Sequence, residues 1–146
     1  MQSLYQDQLL ALARASRSTS AVIAPTHTAE VNNPVCGDRI RAAVTVANGS
    51  ITHAHAEAKG CALCEAGAGL WLNTVVGRDM AALPGLLDRL TDWLKANDGS
   101  GDEAGDESRP DGFSQDIKAF APVRAIKNRH KCVTLAFATA DKFTPV

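Results

Sequence analysis

The stretch Asp38-Arg39-Ile40-Arg41-Ala42-Ala43-Val44-Thr45-Val46-Ala47-Asn48-Gly49-Ser50 decides the fold, because its apolar residues recur at every second position up to a tight-turn dipeptide. Ile40, Ala42, Val44 and Val46 fall on one face of a strand, and Arg39, Arg41 and Thr45 on the other. Asn48-Gly49 is the pair that a two-residue hairpin favours, since both central positions need positive φ. The return strand reads over 50–59, with Ala54, Ala56 and Ala58 on one side and His53, His55 and Glu57 on the other. With the extended segment before Cys36, this predicts an antiparallel meander.

Outside the meander the period becomes helical. After Gly60, the residues Leu63, Ala66, Leu70 and Val75 form a stripe on a helix that ends near Gly77. A second helix reads over 80–96, with Leu83, Leu86, Leu87, Leu90, Trp93 and Leu94 on its core face. Upstream, Leu4, Leu9, Leu10, Leu12 and Ala13 predict a helix over 3–15, ended by a Ser/Thr cluster. The stretch 97–112 holds almost nothing that could enter a core and predicts a mobile acidic loop. Phe113, Ile117, Phe120 and Val123 reattach the chain, and 129–139 reads as a last helix. Strands followed by helices predict an α+β fold: a small three-stranded antiparallel meander packed against helices. The 146 residues fit one domain spanning 1–146, with the acidic insertion at about 97–118.

A net charge of -1 and a sequence pI near 6.4 lack the basic footprint that nucleic-acid binding requires. The first eight residues show no basic region leading into an apolar one, and no apolar stretch reaches membrane-spanning length. The expectation is a cytoplasmic protein with neither a nucleic-acid nor a membrane partner. Four cysteines in such a compartment point to metal or sulfur chemistry rather than disulfides.

Cys36 lies in Asn32-Asn33-Pro34-Val35-Cys36-Gly37-Asp38. Proline stiffens the approach and glycine permits a tight turn, so a thiolate and a carboxylate two residues apart can face one way. A buried free cysteine in a turn is an equal alternative. Cys61 follows Gly60 where strand becomes helix, and a helix N-terminus favours its thiolate. Cys64, one turn later, makes a Cys-Ala-Leu-Cys spacing that suits a thioredoxin-type redox pair, half of a zinc site, or simply a small helix residue. The redox alternative lacks the parallel crossover that usually precedes it. Cys132 sits in Asn128-Arg129-His130-Lys131-Cys132-Val133, where basic neighbours lower a thiol's pKa; a core cysteine is the alternative. His130 beside two basic residues reads as solvated before it reads as a ligand. His53, His55 and Glu57 read as the wet face of an antiparallel sheet, and Trp71 and Trp93 as core.

Taken together and in this order, the three cysteine segments resemble those of the NifU/IscU/SufU family of iron–sulfur cluster assembly proteins. Asn33-Pro34-Val35-Cys36-Gly37-Asp38 is similar to the family's first ligand motif, Gly60-Cys61-Ala62-Leu63 to its second, and Arg129-His130-Lys131-Cys132-Val133-Thr134-Leu135 to its third. The resemblance implies a SufE/NifU-like fold and one tetrahedral site with ligands Cys36, Asp38, Cys61 and Cys132, holding zinc or an iron–sulfur cluster. Lys131 stands where the IscU-like branch has histidine, and no Leu-Pro-Pro-Val-Lys motif is present, so Arg-x-Lys-Cys and the insertion resemble the SufU branch.

That branch implies a zinc-bound sulfurtransferase taking persulfide sulfur from a cysteine desulfurase and passing it toward iron–sulfur recipient apoproteins. Cys36 would then be the sulfur acceptor, with zinc swapping to a partner ligand as Cys36 leaves, and Arg129 would help to position the partner. Whether such a chain is a scaffold or an enzyme stays open. Cys64 departs from the family's usual serine and leaves the ligand count open, with Cys64, Arg129 and His130 as auxiliary candidates. A structural-zinc module that binds another protein without sulfur transfer is the alternative function, and a Cys61–Cys64 oxidoreductase a third.

Overall fold

In the computed structural model, which describes residues 3–18, 24–34, 37–96, 110 and 112–146, the alternating stretch forms a hairpin. Strand β2 (Asp38–Ala47) pairs antiparallel with β3 (Ser50–Lys59). Asn48 and Gly49 take φ of 54° and 83°, the positive pair that this turn demands. Strand β1 (His27–Asn33) covers the other edge of β2, in register from His27 opposite Val44 to Asn33 opposite Asp38. The expected meander is therefore present, and a short fourth strand extends it. In β4 (Thr144–Pro145), Thr144 pairs with Thr28 and Pro145 with His27, giving the order β3-β2-β1-β4. Pro145 is tolerated there because β4 lies at the sheet's edge.

A bulge sets the phase of β3. Thr45 faces His53 while Val46 faces Ile51, so Thr52 is the extra residue. It shifts Ile51 onto the same buried side as Ala56, although the two are an odd number of positions apart. Beyond the bulge His53 and Glu57 are exposed and His55 half-buried, as an antiparallel sheet with one wet face requires.

Helix α1 (Ser3–Ser18) runs three residues past the expected end, and α2 (Ala62–Val75) matches its expected place. Helix α2 is buried almost all round, where the periodicity predicted a single stripe. Cys64 and every residue from Ala66 to Trp71 are buried, because α2 lies between α1, β3 and the last helix. Its glycines permit this. A Cβ on Gly69 would collide with the Leu12 carbonyl of α1, and one on Gly67 with the Val133 carbonyl. Trp71, Leu70 and Val75 then complete a core with Ile40 and Val44 of β2.

The helix expected over 80–96 begins as a 3₁₀ turn (Met80–Ala82) and becomes α3 (Leu83–Lys95) at Leu83, with Pro84 in its first turn. Proline lacks the N–H that a helix interior would use and suits this position. The acidic loop expected over 97–112 falls mostly outside the described residues. Phe113 is buried, and a 3₁₀ helix over Gln115–Ala125 carries the buried Ile117, Phe120 and Val123.

The last helix is shorter than the expected 129–139. Helix α4 covers His130–Thr134 and gives way to a 3₁₀ segment over Phe137–Asp141. The buried Thr139 hydroxyl donates to the Ala136 carbonyl at 2.6 Å, and the backbone bonds of Ala138 and Thr139 also reach back three residues. This side-chain competition favours the tighter spiral. Among the described residues no helix is long and apolar enough to cross a membrane.

Gly69→Ala tests the helix contact. The gain in helix propensity, about 1 kcal/mol, opposes a backbone collision costing about 1–3 kcal/mol. A lower urea midpoint at unchanged slope is the expected outcome, and an equal or higher midpoint would contradict the close approach.

Candidate metal centre

Three elements meet at the end of the hairpin that is distant from its turn. Asp38 opens β2, Cys61 precedes α2 and Cys132 lies in α4. One ligand atom from each lies within 4.8 Å of the other two. Asp38 and Cys132 are buried and Cys61 is half-buried, so the cluster opens to solvent beside Cys61.

Antiparallel pairing explains the meeting of Asp38 and Cys61. Arg39 sits opposite Lys59, so the residue before Arg39 and those just after Lys59 are brought side by side. Cys61 takes an extended conformation as N-cap, its carbonyl accepts the first helical bond from Glu65, and its thiol makes no capping hydrogen bond. The sulfur is thus left available. Instead, the Cys61 N–H donates to Asp38 Oδ1 at 3.3 Å, and Cys61 Sγ lies 4.0 Å from Asp38 Oδ2. Gly60 is required between them, because a Cβ there would overlap the Asp38 carboxylate. The glycine therefore both turns the chain and makes room for the Asp38 carboxylate.

Cys132 arrives through α4. The close approach of Gly67 to the Val133 backbone seats α4 on α2, next to Cys61's helix. His130 fixes the start of α4: its Nε2 lies 3.1 Å from the Val123 carbonyl and 3.0 Å from that of Arg124. Carbonyls only accept, so Nε2 carries a proton and donates to both. Burial pushes the Cys132 thiol up to about 12, with the neighbouring Cys61 and Asp38 adding to the rise. Three groups that ionise to anions share one partly dry pocket, which is the environment a cation relieves.

The donor set fits zinc or a cluster iron. Tetrahedral zinc with sulfur at about 2.3 Å has ligand atoms about 3.7 Å apart, and Cys61 Sγ lies 4.0 Å from Asp38 Oδ2. Two thiolates and a carboxylate make three ligands of mixed softness. Cys36, the fourth candidate, lies outside the described residues; by sequence it is two positions before Asp38, in the connection closed by the Gly37 N–H donating to the Asn33 carbonyl at 2.8 Å. Cys64 is buried in the interior of α2, and neither it nor Arg129 nor His130 belongs to the described cluster. Arg129 is exposed. The positioning role of His130 was missed in the sequence, where its partners six and seven residues back carry no local signal.

The sequence profile described as the NifU-like N terminal domain matches residues 4–87, more than half of the chain. The chain belongs to this family. The matched region contains the Cys36-to-Asp38 and Cys61 motifs, and Cys132 lies beyond it. A zinc-dependent sulfurtransferase, SufU of Bacillus subtilis, is 27% identical over 113 residues, covering 77% of this chain and 71% of that protein. The N-terminal NifU-like protein of Brucella abortus superposes with a TM-score of 0.73 at 26% identity, covering 94% of this chain and 90% of the other. A putative iron–sulfur cluster assembly scaffold of the SUF system from Fervidobacterium islandicum shares the fold at 16% identity, with a TM-score of 0.72 and 92% of each chain covered. These likenesses place the chain in the NifU/IscU/SufU group of assembly scaffolds.

The raised thiol makes metal-free protein sensitive to alkali. The unfolded chain releases the Cys132 proton near the ordinary 9.0, whereas the folded chain holds it to about 12. Stability from this group is complete below 9.0 and is lost as pH rises toward 12. Urea unfolding across that range should show this decline, and Cys132→Ser should flatten it; an equal decline in the variant would contradict the assignment.

Proposed function

We propose that this chain, as one domain over 1–146 in the cytoplasm, accepts sulfur from a cysteine desulfurase for iron–sulfur cluster assembly. Its Cys36, Asp38, Cys61 and Cys132 hold zinc or a nascent cluster. The observation that carries this reading is the convergence of Asp38, Cys61 and Cys132 from three separate elements within 4.8 Å. The similarity to a zinc-dependent sulfurtransferase supports zinc and the SufU-like branch.

The transfer is ordinary thiol exchange. The Cys36 thiolate attacks the outer sulfur of the desulfurase's cysteine persulfide; a sulfur–sulfur bond forms on Cys36, the partner's bond breaks, and its thiolate leaves. No external oxidant or reductant is needed. Cys36 lies two residues before Asp38 in the sequence, and its exchange leaves Asp38, Cys61 and Cys132 on β2, the N-cap of α2 and α4. Bound zinc would keep the thiols deprotonated at neutral pH, which offsets the raised Cys132. Asp38, an oxygen ligand among sulfurs, makes the site more exchangeable than an all-thiolate one.

Purified cysteine desulfurase should be stimulated by the wild-type chain and not by Cys36→Ala, measured as sulfide released per minute; normal stimulation by the variant would overturn sulfur transfer. Chelation should remove about one zinc per chain while leaving the far-ultraviolet circular dichroism intact, because the core around Trp71, Phe120 and Phe137 is apolar and complete without the site. Unfolding on chelation would favour the structural-zinc module instead. Gly60→Ala should weaken zinc binding by roughly 10–100-fold through displacement of Asp38. Unchanged affinity would show that the carboxylate is not a ligand.

A further inference from the structure

A groove of about 550 Å³ between α3 and α4 plays no part in the metal reading. It is lined by Thr91, Leu94 and Lys95 on one side and by Lys127, His130, Lys131 and Thr134 on the other. Leu94 is fully buried, so the stems of the three exposed lysines supply the apolar surface that a partner can reach. No carboxylate lines the groove, and neither the Arg17–Glu65 nor the Arg41–Glu30 ion pair includes any of these lysines. Ile126, 39% exposed, is a rare large apolar side chain at the surface and adjoins Lys127 in the chain.

The chemistry of this wall selects its occupant. Three ammonium groups on long methylene stems present an apolar lining with a cationic rim. Such a surface complements an apolar side chain flanked by carboxylates. A nucleic acid fits less well, because no Phe, Tyr or Trp lines the groove for bases to stack on, the His130 ring is tied to the Val123 and Arg124 carbonyls, and the chain's net charge is -1. We propose that the groove docks an acidic segment of a partner protein, with one apolar side chain packed on the lysine stems between carboxylates that meet Lys95, Lys127 and Lys131. Lys131 directly precedes Cys132, so the docked segment lies along the helix that supplies a metal-site sulfur. The proposal requires neither bound metal nor sulfur transfer and stands if either of those fails.

The test titrates the full chain into a fluorescein-labelled peptide with a central leucine and two glutamates on each side, read by anisotropy. Lys95→Glu combined with Lys127→Glu should weaken binding by about tenfold, added salt should weaken it further, and exchanging the peptide's leucine for serine should also weaken it. Equal binding by the double variant, equal binding of the serine peptide, or equal competition by single-stranded polyuridylate would overturn the proposal. Amide shift mapping on the wild-type chain gives a reading independent of how the variant folds: changes confined to 91–95 and 126–134 support it, and changes centred elsewhere overturn it.

Discussion

Two thiols and a carboxylate do not gather in a partly buried pocket unaided. Burial first, and then the neighbouring Cys61 and Asp38, push the Cys132 thiol up to about 12, which is the conflict. The conflict can persist only where the backbones carrying the three groups are fixed by contacts that have nothing to do with the site. The hairpin register fixes Asp38 against the chain just past Lys59, and helix α2 carries Cys61 as its N-cap. The apolar core fixes α2, and α4 rests on it. The rest of the fold holds this unfavourable cluster in the arrangement that the proposed cation would relieve.

Small residues are the means. Gly60 leaves room for a carboxylate, Gly67 lets the backbone of α4 approach, and Gly69 does the same for α1. Glycine inside a helix costs about 1 kcal/mol against alanine, so its use twice within α2 trades local propensity for close packing. Burial all round α2 follows from the same choice. The His130 bonds to the Val123 and Arg124 carbonyls add a polar clamp where α4 begins, two residues before the sulfur.

Much of this was legible in the sequence. The alternation over 38–59 and Asn48-Gly49 were enough for the hairpin, because strand period and turn chemistry are local properties. The bulge at Thr52 was not legible, since a one-residue phase slip depends on what faces it. Nor was β4, two residues long and held by pairing with β1. The last helix was read too long because Val133, Leu135 and Phe137 are apolar whether the spiral is α or 3₁₀, and the Thr139 hydroxyl decides between them. For the centre, the motifs around Asp38, Cys61 and Cys132 pointed to residues that the fold brings together, whereas Cys64 turned out to lie in the helix interior. The need for Gly60 could have been suspected from its place directly before Cys61; the clamp by His130 could not.

The most direct measurement is X-ray absorption at the zinc edge of the zinc-loaded chain, compared with the same spectrum of Asp38→Ala. The account predicts a mixed first shell, with sulfur at about 2.3 Å and one oxygen near 2.0–2.2 Å that the variant loses or replaces. A shell of nitrogen and oxygen alone, or one unchanged by the substitution, would contradict it.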